Sequence, residues 1–379
     1  MITSSTAIAA PRLWTIDALR GFAALAVVLC HAIAGQRPGD TLLGAFAYKA
    51  LSFGRFGVWL FFVISGFCIH YRWALRARSG STAPPEFVGF WRRRIRRLYP
   101  PYLVALAVFV WLRFGTAWVS SDVLPLIGLH LLMLQNVSQS TVTGINEVFW
   151  TLATEEQLYL LYFVLVRLRA AAGWPMVLAA GVLARLSWFV FAGAMHRLGH
   201  VDVLVTQAAA AQWPIWMLGA LSVEAMVGLV EVPRFFRSAS ACVVLLAAAA
   251  VLSYGLLYTL SPGLVYRAVW FTADLCWGLG FFVAVNLSVA RQRLERRPSR
   301  IAGALAAVGV FSYSLYLTHE VVTTYAWRVA SGPALSRLPA LAVAVMVIAS
   351  LGFARVFFRL FERPFLSVTS RAIRPAIAV

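Results

Sequence analysis

The chain has 379 residues, of which 61% are hydrophobic and 12% are charged, whereas an average soluble domain has about 25% charged residues. Its mean hydropathy is +0.80, and apolar runs of helical length recur along the whole chain, which excludes a soluble globular protein and indicates a polytopic membrane protein. The net charge of +19 comes almost entirely from arginine. These arginines stand between apolar runs, which favours topological anchoring, with lipid or phosphate contacts sharing that role, over nucleic-acid binding.

Ten apolar segments are long enough to cross a bilayer as helices. They lie at residues 15–35, 51–71, 99–118, 148–167, 174–194, 211–230, 238–259, 265–290, 303–327 and 338–361. A further apolar run at 123–135 is too short to cross and contains Pro125, so we expect an interfacial or re-entrant helix that this proline interrupts. The predicted fold class is therefore an all-α polytopic membrane protein with about ten transmembrane helices.

The arginine distribution predicts the orientation of these spans, because loops rich in positive charge stay in the cytoplasm. With ten spans, the arginine-rich loops 72–98 and 291–300 fall on the same side as both termini. We therefore expect cytoplasmic tails at 1–12 and 366–379 and one membrane-embedded domain at 13–365.

The first span carries two ionisable side chains, Arg20 and His31, on one helical face. Their spacing corresponds to about three helical turns, or about 16 Å along the axis. Ionisable groups inside a membrane helix are expensive and mark functional sites. A secretory signal cleaved after Ala34 is an alternative that would remove both residues, but a polar histidine just before the cut and the length of the leader count against it.

Two other spans contribute titratable side chains in the predicted outer half of the bundle. His31 is expected about 6 Å and Glu155 about 10 Å below the outer surface, with His319 somewhat deeper. A histidine titrates near neutral pH, and a carboxylate can fix its tautomer and increase its basicity. The group therefore suits a general base that deprotonates a hydroxyl attacking an acyl carbonyl. A polar cluster that only satisfies its own hydrogen bonds is an equal alternative.

Two further patterns have both a structural and a functional interpretation. Ser65 and Gly66 in the second span favour close helix packing, with a narrow ligand channel as the alternative. Arg93 and Arg97, at i,i+4 before the third span, suit a phosphate or pyrophosphate, although cytoplasmic anchoring is the simpler explanation. The four cysteines have no spacing typical of a disulfide framework or a metal site: Cys30, Cys68, Cys242 and Cys276.

Motifs in the first half of the chain resemble those of the acyltransferase-3 family of bacterial integral-membrane acyltransferases. The first span is similar to the family's Asp-x-Leu-Arg-Gly segment and its Arg-x10-His pair, here Asp17, Arg20 and His31. Residues 57–67 resemble its second-helix signature, and residues 97–102 resemble the basic start of its third helix.

The second half continues the resemblance in the same order. Residues 150–159 are similar to the family's Trp-Ser-Leu-x-x-Glu segment, 312–319 to its Tyr-x-x-Tyr-Leu-x-His motif, and 362–364 to its Glu-x-Pro element. Three positions depart from the family pattern, namely Thr151 for serine, Leu158 for an aromatic residue, and Glu320 for an apolar or aromatic residue. The resemblance covers roughly residues 13–365 and is to the stand-alone form, without a fused extracytoplasmic domain.

The resemblance implies transfer of an acyl group, usually acetyl, from cytoplasmic acyl-CoA to a hydroxyl group. The implied acceptors are cell-envelope or secreted glycans, or small molecules such as macrolides, and the implied location is the bacterial inner membrane. It also implies that Arg20 and His31 are required. We expect His31 to be the general base, assisted by Glu155, and Arg20 to bind the donor or to stabilise the tetrahedral intermediate.

The remaining candidates support these roles. Arg93 and Arg97 are expected to hold the CoA phosphates, and Asp17 to position the guanidinium of Arg20. The acceptor-side or supporting candidates are His319, Ser65 and Tyr159. No metal is expected, the expected partners are membrane lipids and a hydroxylated acceptor, and the sequence indicates neither the acceptor nor the oligomeric state.

Two other functions compete with this hypothesis. Intramembrane charges also mark the path of a transporter or flippase for a glycan or a lipid-linked intermediate, but no inverted repeat with matched broken helices is evident. A regulatory or scaffold protein that has lost catalysis is disfavoured by the presence of both Arg20 and His31.

Overall fold

The computed structural model describes residues 13–34, 42–198, 207–261, 264–295, 297–330 and 338–366. Over these ranges the regular secondary structure is entirely helical. The α-helices are α1 (Trp14–Ala34), α2 (Leu42–Ser52), α3 (Gly57–Arg78), α4 (Phe87–Phe114), α5 (Val123–Leu131), α6 (Gln139–Val142), α7 (Trp150–Arg197), α8 (Ala209–Val227), α9 (Ala239–Tyr258), α10 (Leu264–Leu294), α11 (Arg300–Gly309), α12 (Ser312–Glu320), α13 (Trp327–Ala330) and α14 (Pro339–Phe357). Short 3-10 segments lie at Phe53–Phe56, Gly115–Val119, Arg234–Arg237 and Arg363–Phe365, and π-helical segments at Val321–Ala326 and Phe358–Glu362.

Within the described residues, seven helical stretches are long and apolar enough to cross a membrane, or eight if the bent pair α11 and Ser312–Ala326 forms one span. This supports the predicted all-helical polytopic class. Each of the ten predicted segments coincides with helix, but 148–167 and 174–194 share α7, which is broken at Gly173 with φ of 74°. The count of ten spans stays a prediction. The predicted terminal tails lie outside the described residues, apart from Leu366.

The short helices α2 and α5 lie next to predicted spans. No helix was predicted for α2, which leads directly into the second span. The apolar run 123–135 forms α5, as expected, but Pro125 does not interrupt it. Because the helix begins at Val123, the proline lies in the first turn, where its missing N–H would have no intrahelical partner.

Helix α8 runs through the centre of the bundle and is buried along most of its length. Its contact with α3 is close because glycines face each other's backbone. A Cβ atom on Gly66 would overlap the carbonyl oxygen of Trp216, and one on Gly219 would overlap that of Val63. Small residues at such crossings allow helix backbones to approach within a membrane, so the close packing predicted at Gly66 is confirmed.

A second close approach positions the charged end of α1. A Cβ atom on Gly309 of α11 would overlap the carbonyl oxygen of Asp17, and one on Gly21 would overlap that of Leu305. The backbone next to Arg20 is therefore in direct contact with α11. This contact fixes the first span beside α12, which carries the motif at residues 312–319 and follows α11 after a sharp bend.

Two buried ionic groups also connect the helices. Glu224 on α8 accepts hydrogen bonds from His70 of α3 (3.0 Å) and from Arg169 of α7 (2.8 Å). Arg185 of α7 forms an ion pair with Asp274 of α10 (3.1 Å), and both side chains are fully buried. Buried charges are tolerated when they are paired in this way.

Candidate active site

A cavity of about 440 Å³ lies where α1, α3, α4, α7 and α12 meet. This volume is within the range of small-molecule binding sites. Its walls combine apolar side chains with many polar ones, namely Asp17, Arg20, Ser65, Cys68, Tyr71, Arg94, Arg97, Thr151, Glu155, Tyr159, Ser312, Tyr313, Tyr316 and Glu362. In addition to Arg20, five of the site residues predicted from the sequence line this one cavity: Asp17, Ser65, Arg97, Glu155 and Tyr159.

Arg20 projects from α1 into this cavity and has two neighbours there. Its Nη1 atom lies 3.9 Å from Oδ1 of Asp17, in the i,i+3 relation expected from the sequence. Its Nη2 atom donates to Sγ of Cys68 at 3.2 Å. The Asp17 carboxylate and the α3 thiol together orient the guanidinium toward the cavity.

Helix α4 contributes two more arginines, Arg94 and Arg97. The Arg94 guanidinium lies over the ring of Tyr159, 5.5 Å from its centre, and Nε of Arg97 is buried without a hydrogen-bond partner among the described residues. Arg93, which the sequence paired with Arg97, is exposed instead. Residues i and i+3 share a helix face as well as i and i+4, so a run of five arginines did not reveal which pair faces inward.

Glu155 is held on the cavity wall by two short hydrogen bonds. It accepts from Oγ of Ser65 at 2.5 Å and from the hydroxyl of Tyr159 at 2.6 Å. Ser65 in turn accepts from Nε1 of Trp216 at 3.2 Å. Both donors bind the same oxygen of Glu155, so this carboxylate organises the wall of the cavity.

Glu362 supplies a second carboxylate that is almost fully buried. Its Oε2 atom accepts from the backbone N–H (3.2 Å) and the hydroxyl (2.5 Å) of Ser314. The Tyr313 hydroxyl donates to the carbonyl of Leu98 at 2.9 Å, beside Arg97 in sequence. The Glu-x-Pro segment, to which sequence analysis assigned no role, thus fixes α12 against the arginine-rich start of α4.

Tyr316 lines the cavity and packs edge-to-face on Phe61, with 5.8 Å between the ring centres. Its hydroxyl accepts from Oγ1 of Thr151 at 2.7 Å and donates to the carbonyl of Val148 at 3.1 Å. Its ring also lies 5.9 Å from that of His319. Tyr316 therefore stands between the cavity and a second polar group that lies beyond it.

That second group contains the predicted pair of histidines. The rings of His31 and His319 pack edge-to-face with 4.9 Å between their centres. Nδ1 of His31 lies 2.9 Å from the carbonyl of Val27, and Nδ1 of His319 lies 2.9 Å from that of Tyr316. A carbonyl only accepts, so each Nδ1 is the donor and each neutral ring keeps a lone pair on Nε2.

The carboxylate beside His31 is Glu320, whereas sequence analysis expected Glu155 there. Oε1 of Glu320 lies 3.7 Å from Nε2 of His31, and its other oxygen accepts from Nδ2 of Asn146 at 2.5 Å. Asn146 also accepts hydrogen bonds from the backbone N–H groups of Val148 and Phe149 and so orders the turn that leads into α7. The sequence did signal Glu320 as a departure from the family pattern, but not its contact with α1.

No group of three histidine, cysteine, aspartate or glutamate side chains within the described ranges is arranged to hold a metal ion. The polar groups instead form two sites, an arginine-lined cavity and a histidine–carboxylate group, joined at Tyr316. A histidine with a free lone pair beside a polar cavity has the chemistry needed to accept a proton from a hydroxyl.

The fold and the two sites define a membrane-embedded helical protein equipped for transfer chemistry. Residues 13–359 match the family model described as an acyltransferase domain, and the chain belongs to this acyltransferase-3 family, as its motifs predicted. The chain is 24% identical over 354 residues to Acyltransferase MdmB of Streptomyces mycarofaciens, covering 85% of this chain and 81% of that protein. No solved structure matches the chain.

Proposed function

We propose that this protein is a membrane O-acyltransferase that moves an acyl group, acetyl by expectation, from cytoplasmic acyl-CoA to a hydroxyl of an acceptor. The observation that carries the proposal is the contact of Tyr316 with both sites, the arginine-lined cavity on one side and the histidine group on the other. The family membership supports acyl transfer. The arrangement of charges supports a donor and an acceptor that arrive from opposite sides.

The cavity suits a polyanionic donor because three arginines, Arg20, Arg94 and Arg97, line it and one of them keeps an unused hydrogen-bond donor. Glu155 and Glu362 are occupied by hydroxyl and amide donors, and Asp17 is near Arg20. The buried Nε of Arg97 has no partner within the described residues. Because a buried hydrogen-bond donor without a partner is unfavourable, an anion such as a CoA phosphate is a suitable ligand for Arg97.

We assign the phosphate contacts to Arg94 and Arg97 instead of to Arg93 and Arg97, since Arg93 is exposed. Arg20 lies about 16 Å along α1 from His31. This separation favours donor binding by Arg20 over stabilisation of the tetrahedral intermediate. The pantetheine arm is long enough to span this offset and would carry the thioester past Tyr316.

In the proposed reaction, His31 is the general base. Its Nε2 atom takes the proton of the acceptor hydroxyl as the hydroxyl oxygen forms a bond to the thioester carbonyl carbon. The bond from this carbon to sulfur then breaks, and the CoA thiolate receives the proton from His31. The hydrogen bond from Nδ1 to Val27 keeps Nε2 available for this proton throughout.

The acceptor is proposed to be a hydroxyl of a cell-envelope or secreted glycan, with a small molecule such as a macrolide as the alternative. His31 lies three residues before the end of α1 and its side chain is 24% exposed, which supports access from the side opposite the cavity. If the protein lies in a bacterial inner membrane with both termini in the cytoplasm, the end of α1 that carries His31 faces outward.

The test uses purified full-length protein in lipid nanodiscs with radiolabelled acetyl-CoA and acceptor fractions of envelope glycans or macrolides. We expect label in one acceptor fraction with the unaltered protein and none with His31→Ala. When an arginine of the cavity is substituted in this assay, Arg96→Ala is the control, because Arg96 also lies on α4 but is exposed. In a parallel preparation of sealed proteoliposomes, movement of an acceptor across the membrane without label in it would instead support a transporter.

A further inference from the structure

We propose that His31, His319 and Glu320 form an acceptor subsite that binds two neighbouring hydroxyl groups. One hydroxyl reacts at His31, and Glu320 holds the hydroxyl on the adjacent carbon. This inference rests on the proposed acyltransferase function and adds the chemical class of the acceptor, a vicinal diol such as the one on a sugar ring.

Hydrogen-bond acceptors are concentrated where His31, His319 and Glu320 meet. With Nδ1 of each histidine bound to a backbone carbonyl, Nε2 of each neutral ring can only accept. Nε2 of His31 faces Oε1 of Glu320 at 3.7 Å, which is longer than a hydrogen bond. When the ring is neutral and the carboxylate is ionised, both facing atoms are acceptors, and a ligand with two hydroxyl groups would supply a hydrogen to each.

His319 carries a buried atom that lacks a hydrogen-bond partner, which is an independent observation. Its side chain is fully buried, and its Nε2 atom has no hydrogen-bond partner among the described residues. Buried polar atoms in folded proteins nearly always have a partner. A donor-rich ligand at this position would supply the missing hydrogen, directly or through an ordered water.

Glu320 is held in place yet keeps capacity for a ligand. Asn146 donates to its Oε2 atom at 2.5 Å. A carboxylate has about four lone-pair positions, so this donor leaves Oε1 able to accept. The bonds from Val148 and Phe149 to Asn146 hold the amide that binds Glu320 in place.

A vicinal diol matches this arrangement better than a single hydroxyl does. Hydroxyls on adjacent ring carbons lie close enough for one to donate to Nε2 of His31 while the other donates to Oε1 of Glu320. An acceptor with an isolated hydroxyl would leave the carboxylate oxygen desolvated and unpaired. Sites built to bind a substrate hydroxyl discriminate strongly against analogues that lack it.

The first experiment compares two simple probes, cis-1,2-cyclohexanediol and cyclohexanol, with acetyl-CoA and the full-length protein in nanodiscs. The monoacetyl esters are measured by mass spectrometry and released CoA by a thiol reagent. We expect the diol to be acetylated about tenfold or more faster than cyclohexanol. Equal rates with the two probes would overturn the subsite while leaving the acyltransferase function intact.

Substitutions at position 320 connect this preference to the proposed residue. Glu320→Leu removes the acceptor atoms at similar size and is expected to abolish the preference for the diol, with an unchanged KM for acetyl-CoA. Glu320→Gln keeps one acceptor oxygen and is expected to restore part of the preference. A merely structural role predicts equal losses with both probes, and that result would overturn the proposal.

A second readout covers acceptors that the probes imitate poorly. If label enters only a natural glycan or macrolide fraction, NMR of the product locates the new ester. We expect a free hydroxyl on the adjacent carbon, and an ester at an isolated hydroxyl would overturn the subsite. Absence of label from every fraction and probe would instead refute the proposed function on which the subsite depends.

Discussion

Replacing Arg97 by glutamine should separate donor binding from folding. Nε of Arg97 is buried without a partner in the described parts of the chain, and its acidic and basic neighbours are Arg20, Arg94 and Glu362. Two of these three neighbours repel a guanidinium. Without donor, the neutral side chain should therefore leave the stability of the fold unchanged or increase it.

The effect on the donor should have the opposite sign. A hydrogen bond to a charged group contributes about 1.5–3 kcal/mol, and about 1.4 kcal/mol corresponds to a factor of ten. Loss of one such contact to a CoA phosphate predicts a KM for acetyl-CoA that is higher by about 10- to 100-fold. The kcat should change little, because Arg97 is remote from the reacting atoms.

The assay is CoA release at varied acetyl-CoA concentration, together with thermal unfolding of the same preparation with and without acetyl-CoA. The matched control is Arg96→Ala, on the exposed face of α4, which should change neither. A fall in stability with an unchanged KM would show that Arg97 stabilises the fold and would refute its role in binding the donor.

Three other substitutions test particular contacts. Tyr316→Ala should increase acetyl-CoA hydrolysis without acceptor, because it opens the wall between the cavity and the histidines; an unchanged rate of CoA release would show that Tyr316 does not separate them. Asp274→Ala leaves its buried arginine partner unpaired and should lower the free energy of unfolding by about 3–5 kcal/mol, and denaturant unfolding that matches the unaltered protein would contradict this. Gly219→Ala should destabilise α3–α8 packing by about 1–3 kcal/mol, whereas Gly128→Ala, with open space around it, should not; equal melting temperatures would refute the contact.

The sequence predicted the helices well because hydropathy is a local property of the chain. The apolar segments and the motif order identified the family, and the spacing of Arg20 and His31 placed them at opposite ends of α1. Helix α8 is an informative case: residues such as Gln212 and Glu224 reduce its hydropathy, and it is absent from the stretches apolar enough to span by composition. Its polar side chains are buried against other helices rather than in contact with lipid.

Lateral contacts between helices were harder to predict, because they depend on rotation and on bends that hydropathy does not report. Glu155 is part of one motif and Glu320 directly follows another, yet of the two only Glu320 lies beside His31, since α12 bends sharply after α11. Arg94 was missed for a related reason. Five arginines among the six residues 92–97 spread over several faces of the helix, so only the packing of α4 selects the residues that face the cavity.

The role of His31 as the base is the central claim, and one measurement tests it most directly. Transfer of label from radiolabelled acetyl-CoA to acceptor is followed in a single turnover with His31→Ala protein, and acetyl-CoA binding is measured on the same sample. We predict that binding is retained and that no labelled acceptor forms. Transfer by His31→Ala at the rate of the unaltered protein would contradict the mechanism.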